Sequence, residues 1–155
     1  MALGHVPLRD MLSQLVSERA RVNPHIAFSF SAEGLDHGYG DSTDLTVYRC
    51  VQESLTNAIR HAQAKRVDVR IRETRGGVTA EDPGSAAQLE LTIGDDGIGI
   101  DPSMPPSFGM LGMRERVRAL GGRYAVESGR GLGTRVRIAI PIRCGAYSAD
   151  ADGAA

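Results

Sequence analysis

The sequence predicts one domain of the α/β class, a two-layer sandwich in which helices cover one face of a mixed, mainly antiparallel sheet. Its 155 residues, 41% of them hydrophobic, are enough for one core. Several segments place apolar residues at helical spacing, and others alternate apolar with polar or charged residues as half-buried strands do. The order of these segments interleaves helices with paired strands, which favours the sandwich.

The first half of the chain predicts two helices with a strand between them. Residues 8–22 carry apolar side chains at helical spacing and end at Asn23-Pro24. The next segment, residues 25–32, alternates large apolar with small residues and predicts a half-buried strand. After a glycine-rich loop, a second helix is expected, capped by one of residues 41–43. Its predicted apolar face consists of Tyr48, Val51, Leu55, Ile59 and Ala62.

The second half predicts four strands and one helix. Residues 66–73 and 88–95 alternate apolar with charged residues and should be antiparallel neighbours. The segment between them, residues 74–87, is too long for a tight turn and is expected to be a mobile loop. The remaining predicted elements are a helix at 112–120 closed by Gly121-Gly122, strands at 123–128 and 133–141, and a disordered tail at 143–155.

Charge and composition argue against several classes of function. A net charge of −1 gives no reason to expect a surface for nucleic acid or for an acidic membrane. No apolar run approaches the ~18 residues that a membrane span requires, and no signal peptide is visible. Cys50, which follows a helical pattern and should be a core residue, and Cys144 form no metal or redox spacing. We therefore expect a reducing, cytoplasmic setting.

Glycine-rich turns after strands raise the question of phosphate binding, but the familiar motifs are absent. A Walker loop needs Gly-Lys-Ser/Thr, and the single lysine, Lys65, follows Ala64. A dinucleotide fingerprint needs G-x-G-x-x-G, and Gly97-Ile98-Gly99 continues to Pro102 instead. The four histidines have no zinc spacing, and no serine lies in an elbow motif.

The second helix carries a polar stripe beside its apolar face. Glu53, Asn57 and Arg60 or His61 follow one another at helical spacing. A carboxylate, an amide and a cation together can hold Mg²⁺ and a polyphosphate, because hard cations prefer oxygen ligands and arginine suits phosphate.

Four motifs resemble, in order, the N, G1, G2 and G3 boxes of the GHKL ATPase superfamily. They read VQESLTNAIRHAQA, IGDDGIGID, FGMLGMRERVRALGG and GRGLGTRVRIAIP. The sequence is most similar to the catalytic and ATP-binding domain of two-component sensor histidine kinases, in the nitrate-sensor and DesK-like subgroup, over about residues 40–141. This resemblance implies the Bergerat fold, with one catalytic domain at residues 1–142.

The resemblance also implies roles for individual residues. Asn57 would coordinate the Mg²⁺ that bridges the ATP phosphates, and Glu53 would polarise a water or the metal shell. Arg60 and His61 would lie near the phosphates. Asp95 would accept a hydrogen bond from the adenine amino group, whereas Asp96 is left open between a supporting residue and a turn residue.

Physical reasoning agrees with a nucleotide site around the G boxes. Gly97 and Gly99 would let the backbone approach a flat ring, and residues 100–111 would form a lid. Gly109 and Gly112 would present backbone N–H groups to phosphate at the start of the next helix. The nucleotide-binding residues predicted here are Asp95, Gly97, Gly99, Gly109, Met110, Gly112, Met113 and Thr134.

The implied activity is delivery of the γ-phosphate of Mg·ATP to a histidine on a separate dimerisation domain, with a response regulator downstream. No segment before residue 41 resembles that domain, so we expect an isolated monomer without direct membrane contact. Ser107 replaces the first glycine of the Gly-x-Gly-Leu that relatives often carry, which would alter lid closure or nucleotide affinity. The alternatives are a free-standing ATPase or serine kinase of the superfamily and a non-catalytic nucleotide-sensing module.

Overall fold

The computed structural model describes residues 6–35, 37–74, 87–101 and 103–142. Within these residues the chain forms three helices and five strands. In chain order they are α1 (Leu8–Val22), β1 (Ala27–Glu33), α2 (Asp41–Arg60), β2 (Arg66–Thr74), β3 (Gln88–Asp95), α3 (Phe108–Ala119), β4 (Arg123–Gly129) and β5 (Gly133–Pro141). The predicted order of helices and strands is confirmed.

The five strands form one mixed sheet in the order β1-β2-β3-β5-β4. Strands β1 and β2 run parallel because α2 carries the chain back between them. The other neighbours are antiparallel, including the predicted pair β2 and β3, where Val69 faces Ile93. Strand β3 therefore lies at the centre of the sheet, and its C-terminal end meets the start of β5, where Asp95 faces Thr134.

One face of the sheet forms the core under the three helices. Alternate residues of the central strands are buried, such as Val69, Leu91 and Ile138. They pack with the inner residues of α1, α2 and α3 in a single cluster. The opposite face carries exposed charged side chains, among them Arg70 and Arg137. The predicted two-layer arrangement is confirmed.

Helix α2 differs from the prediction at its start and in its buried face. Gly40 precedes it, and no side chain caps it among the described residues, so the predicted cap at residues 41–43 is wrong. Tyr48 and Ile59 lie at the edge of the buried face and are only half-buried. The buried face is wider than one stripe because the helix packs against α1 and α3 as well as the sheet. Its buried side chains are Thr46, Val47, Cys50, Val51, Ser54, Leu55 and Ala58, and Cys50 is confirmed as a core residue.

Helix α3 begins four residues before its predicted start at residue 112. Ser107 is the N-cap, and its hydroxyl accepts a hydrogen bond of 3.2 Å from the Met110 N–H. The predicted lid, residues 100–111, therefore ends within the first helical turn. At the other end, Gly121 adopts a φ of 74° and closes the helix as predicted.

Several predictions fall on residues that the structure does not describe. The loop predicted at 74–87 lies outside the described residues except at its two ends, as does the tail at 143–155 with Cys144. Among the helices of the described residues, none is long and apolar enough to cross a membrane.

Candidate functional site

A cavity of about 380 Å³ lies between α2, the facing ends of β3 and β5, and the segment that leads into α3. Its lining is mainly apolar, with a few polar groups, as is usual for small-molecule sites. Seven of the twelve site residues predicted from the sequence line it: Asn57, His61, Asp95, Gly99, Met110, Met113 and Thr134.

Asp95 is the carboxylate at the β3 end of this cavity. Its Oδ1 accepts a hydrogen bond of 2.8 Å from the Gly97 N–H. Burial raises the pKa of the Asp95 carboxyl, although the backbone N–H groups of Gly97 and Thr134 act in the opposite direction. The carboxylate is thus held rigidly, and its other lone pairs remain for a ligand.

Strands β3 and β5 supply an apolar floor beside Asp95. Ile93 and Val136 face each other across the two strands and both line the cavity. They lie two residues from Asp95 and Thr134, so the period of two in a strand places them on the same face. The sequence reasoning missed these floor residues, and that alternation was the signal that would have found them.

Asp96 does not line the cavity, and its carboxylate holds the start of β2. Its Oδ1 accepts hydrogen bonds of 2.8 Å each from the N–H groups of Lys65 and Arg66. The Arg66 and Lys65 hydrogen bonds lower the pKa of the Asp96 carboxyl. Of the two roles left open for Asp96, the structure favours the structural one, since it fixes the chain next to the site.

The two glycines after Asp96 are required by contacts with the protein itself. A Cβ on Gly97 would collide with the backbone carbonyl of Ala62 at the end of α2. Gly99 has a φ of 79°, and a Cβ there would strike the carbonyl of Gly129. The approach of a flat ring to this backbone, expected from the sequence, stays a prediction. Gly97 does not line the cavity, whereas Gly99 does.

Helix α2 forms the opposite wall and brings only part of its polar stripe to the cavity. Asn57 and His61 line it, but Glu53 and Arg60 do not. The Glu53 carboxylate lies against Gly109 of α3, and a Cβ at position 109 would collide with it. Ser54, which the sequence reasoning also missed, is buried at the wall and contacts the Met113 sulfur at 3.8 Å.

The segment before α3 forms the outer wall. Met104, Pro105, Pro106 and Ser107 line the cavity, whereas the adjacent Phe108 is 95% exposed. Gly109 and Gly112 do not line it, and space is open around Gly112. Because α3 starts at Phe108, the N–H groups of its first turn belong to residues 108–110 rather than to Gly112.

The amide oxygen that Asn57 offers at the α2 wall fits a magnesium ion whose other ligands come mainly from a nucleotide. Among the described residues, no group of three or more His, Cys, Asp or Glu side chains is arranged to hold a metal. Mg²⁺ commonly takes one or two protein oxygens and completes its shell with phosphates and water. Asn57 offers one amide oxygen in the cavity wall, and no described residue hydrogen bonds its side chain.

A larger basin of about 770 Å³ lies on the open face of the sheet. It is more open than the smaller cavity, and charged side chains, including Arg66, Arg70 and Glu127, form much of its lining. An open basin with many charged groups excludes water from a ligand less well than the smaller cavity, which combines an apolar floor with few polar groups. We therefore place the functional site in the smaller cavity.

Comparison with known proteins agrees with this geometry. Residues 41–143 match the model of the family described as histidine kinase-, DNA gyrase B-, and HSP90-like ATPase. The chain belongs to this ATPase family. The assignment supports ATP as the nucleotide, and the matched residues include both walls of the cavity.

The ATPase domain is similar in sequence to sensor histidine kinases. It is 32% identical to the signal transduction histidine-protein kinase/phosphatase UhpB of Salmonella typhimurium over 137 residues, 88% of this chain and 24% of that protein. It is 30% identical to the signal transduction histidine-protein kinase/phosphatase DegS of Bacillus subtilis over 146 residues, 90% of this chain and 34% of that protein. The chain therefore spans about a quarter of the first relative and about a third of the second.

Solved structures of histidine kinases share the fold. The histidine kinase domain of the blue-light activated kinase of Erythrobacter litoralis EL346 matches with a TM-score of 0.67 and 29% identity, over 88% of this chain and 62% of that one. The ATP binding domain of PrrB from Mycobacterium tuberculosis matches with a TM-score of 0.59 over 90% of this chain and 97% of that one. At 21% identity, the second match concerns the fold alone.

Proposed function

We propose that this domain binds Mg·ATP in the cavity and presents the γ-phosphate to a histidine on a separate dimerisation domain. The observation that carries the proposal is the placement of Asp95 and Asn57 in one cavity with an apolar floor. Asp95 supplies a fixed acceptor for an adenine amino group, and Asn57 supplies an oxygen for the metal. The floor of Ile93 and Val136 suits the flat face of a purine.

The residues divide the work by position. Met110 and Met113 pack beside the purine, with Gly99 and Thr134 at its edge. His61, at the wall beside Asn57, lies next to the phosphates, and the adjacent Arg60 contributes positive charge from outside the cavity. The N–H groups of Phe108 and Gly109, at the start of α3, face the phosphates. Gly112 lies in the next turn of α3, and Gly97 acts at the other end of the site, where its N–H holds Asp95.

Asn57 would hold the magnesium ion through its amide oxygen. When bound, Mg²⁺ neutralises the phosphate charge that develops during phosphoryl transfer. Glu53, one helical turn before Asn57, polarises a water in this region, and its contact with Gly109 links α2 to α3. Catalysis by the domain is then mainly positioning and exclusion of water.

Titration calorimetry with a non-hydrolysable ATP analogue tests the proposal on the full chain. We expect the wild type to bind the analogue more tightly with Mg²⁺ than without it, and Asn57→Ala to lose most of that gain. A matched control is Asn23→Ala, which removes an amide from the C-cap of α1. The Asn23 side chain donates a hydrogen bond to the Arg19 carbonyl there. Equal affinity with and without Mg²⁺ in the wild type would argue against the metal role.

The phosphoryl acceptor is tested separately by adding a dimerisation domain from a related sensor kinase. Transfer of labelled γ-phosphate to its histidine would support the kinase function, with a response regulator as the next acceptor. Steady ATP hydrolysis without any added domain would favour the free-standing ATPase. Binding without either reaction would favour a nucleotide-sensing module. We further propose a cytoplasmic location and a monomer, the latter checked by light scattering.

A further inference from the structure

Ser128, at the end of β4, connects the segment after Asp95 to the start of β5. The Ile100 N–H donates to its Oγ at 2.6 Å, and this Oγ lies 3.0 Å from the Gly133 carbonyl and 3.0 Å from the Thr134 Oγ1. Ser128 does not line the cavity, whereas Ile100 and Thr134 do. Any effect of Ser128 on a ligand must therefore pass through these neighbours.

The count of protons fixes the direction of these hydrogen bonds. A serine hydroxyl has one proton to donate and two lone pairs to accept. The Gly133 carbonyl can only accept, so the contact with it uses the single proton of Ser128. One lone pair accepts the Ile100 N–H, and the other remains for Thr134. Thr134 must then donate its own proton to Ser128.

This direction leaves the Thr134 hydroxyl with only lone pairs for the cavity. Asp95 lies directly opposite Thr134 in the β3–β5 register and presents carboxylate lone pairs. Both polar groups at this end are therefore acceptors. An exocyclic amino group offers two protons and satisfies them, whereas a carbonyl oxygen at the same position would face lone pairs on both sides.

We propose that Ser128 is a positioning residue that makes the site select a 6-aminopurine over a 6-oxopurine by fixing the Thr134 hydroxyl as an acceptor. The inference rests on the proposed nucleotide function and adds a determinant of base specificity. Contacts between the residues that follow Ser128 and the residues beside Ile100 support this hydrogen-bond network. The Gly131 N–H bonds the Ile98 carbonyl at 2.8 Å, and Arg130 pairs with Asp101 at 3.3 Å. The β4–β5 turn is thus joined to residues 98–101 at several points.

The test compares ADP with inosine diphosphate, which replaces the amino group by a carbonyl oxygen and avoids turnover. Dissociation constants are measured with Mg²⁺ for the full-length wild type, Ser128→Ala, Ser128→Thr and Ser31→Ala. Ser31 is an exposed strand serine on β1, at the opposite edge of the sheet, and serves as the matched control. Amide hydrogen exchange at Ile100 reports whether its acceptor has been removed.

In Ser128→Ala the Thr134 hydroxyl can turn and donate to a carbonyl oxygen. We expect the preference for ADP over inosine diphosphate to fall by about threefold to tenfold, the size of one hydrogen bond changed. Ser128→Thr retains the hydroxyl and should restore the preference, and Ser31→Ala should match the wild type. The Ile100 amide should exchange faster in Ser128→Ala.

Two results would overturn the inference without touching the proposed function. The first is an unchanged preference in Ser128→Ala, even if both nucleotides bind more weakly, because that pattern describes a purely structural serine. The second is unchanged exchange at Ile100, which would remove the hydrogen-bond network from the argument. If the wild type bound neither nucleotide, the proposed function would fail and the inference with it.

Discussion

The two ends of the cavity are constructed differently. At the proposed base-binding end, Asp95 is fixed by the N–H groups of Gly97 and Thr134, and the turn after it is joined to the β4–β5 turn through Ser128. At the proposed phosphate end, no described residue hydrogen bonds the Asn57 side chain. The adjoining residues before α3 are largely exposed, with Met104 64% exposed. Hydrogen bonds within the protein thus hold one end of the cavity, whereas the described residues of the other end make few such contacts.

This difference has a physical reason. Recognition of a base depends on a few directed hydrogen bonds. These contribute less to the binding free energy if the acceptor must be ordered on binding. Phosphates and a metal ion bring strong, less directional electrostatic interactions of their own. A loosely held wall can close on them and exclude water. If the proposed base-binding end is as rigid and as specific as its contacts indicate, it should respond to substitution differently from the residues beside it.

The largest expected effect separates the two adjacent carboxylates at the end of β3. In Asp95→Asn the single amide oxygen cannot serve both the Gly97 N–H and the adenine amino group. Calorimetry should therefore show adenine nucleotides binding about 100-fold more weakly, or about 3 kcal/mol. Asp96→Ala removes the acceptor for the Lys65 and Arg66 N–H groups, which lie outside the cavity. It should leave affinity nearly unchanged and lower the free energy of unfolding by about 1 kcal/mol. Equal losses of affinity in both variants would contradict the division of roles.

The next effect tests the rigidity of the turn that follows. In Gly97→Ala the new methyl group would meet the Ala62 carbonyl, a backbone atom that cannot move aside easily. We expect a loss of about 2 kcal/mol in the free energy of unfolding, measured by denaturant titration. Gly112→Ala is the control, because nothing lies within 4 Å of its Cβ position. That change should be neutral or stabilise α3 by up to about 1 kcal/mol, and a comparable loss there would show that the turn has no special role.

More of the residues predicted for the base line the cavity than of those predicted for the phosphates. Asp95 and Thr134 were assigned from the resemblance of their motifs to the G1 and G3 boxes, and the antiparallel pairing of β3 with β5 brings the two residues opposite each other. Regular alternation along the strands also predicted the order of the elements along the chain, the antiparallel pairing of β2 with β3, and helices on one face of the sheet. Contacts from distant parts of the chain could not be read in this way. The need for Gly97 arises from Ala62, and the orientation of Thr134 arises from Ser128, neither of which is visible in local periodicity.

The start of α3 shows why the other end was harder to predict. Two prolines and a serine precede it, and the glycines at 109 and 112 have low helix propensity. Spacing alone therefore placed the start at residue 112. The Ser107 cap and the packing of α3 against α2 and β4 begin the helix earlier. Tertiary contacts outweigh local propensity here, as they also do in the wide buried sector of α2.

A smaller effect is expected from Ser107, which lines the cavity and caps α3 near the proposed phosphate end. Ser107→Ala removes the N-cap of α3 and should lower the free energy of unfolding by about 1 kcal/mol. Ser107→Asp retains a capping acceptor but places a carboxylate beside the proposed phosphates. It should keep the stability and weaken Mg·ATP binding by about fivefold, or about 1 kcal/mol. The test is calorimetric titration with Mg·ATP alongside adenosine, which lacks phosphates. Equal weakening for adenosine would place Ser107 at the base-binding end instead.

The smallest expected effect is the pH dependence of the nucleotide-free domain, in which the two carboxylates have opposite signs. Burial raises the pKa of Asp95, so folding favours its protonated form. The stability that Asp95 contributes is fully present at a pH below the ordinary pKa of a carboxyl group and is lost as the pH rises through the raised pKa. Backbone hydrogen bonds lower the pKa of Asp96, so its contribution is present above the ordinary range and is lost as the pH falls through the lowered value.

Denaturant titrations from pH 7 to pH 3 should reveal this contrast. At pH 7, Asp95→Asn should be slightly more stable than the wild type and Asp96→Asn slightly less stable. Each difference should stay below about 1 kcal/mol because both carboxylates remain in contact with solvent. Both differences should shrink as the wild-type carboxylates become protonated, that of Asp95 first. Differences of the same sign at pH 7 would mean that the two carboxylates share one environment, and the rigid, partly buried acceptor at the base-binding end would have to be abandoned.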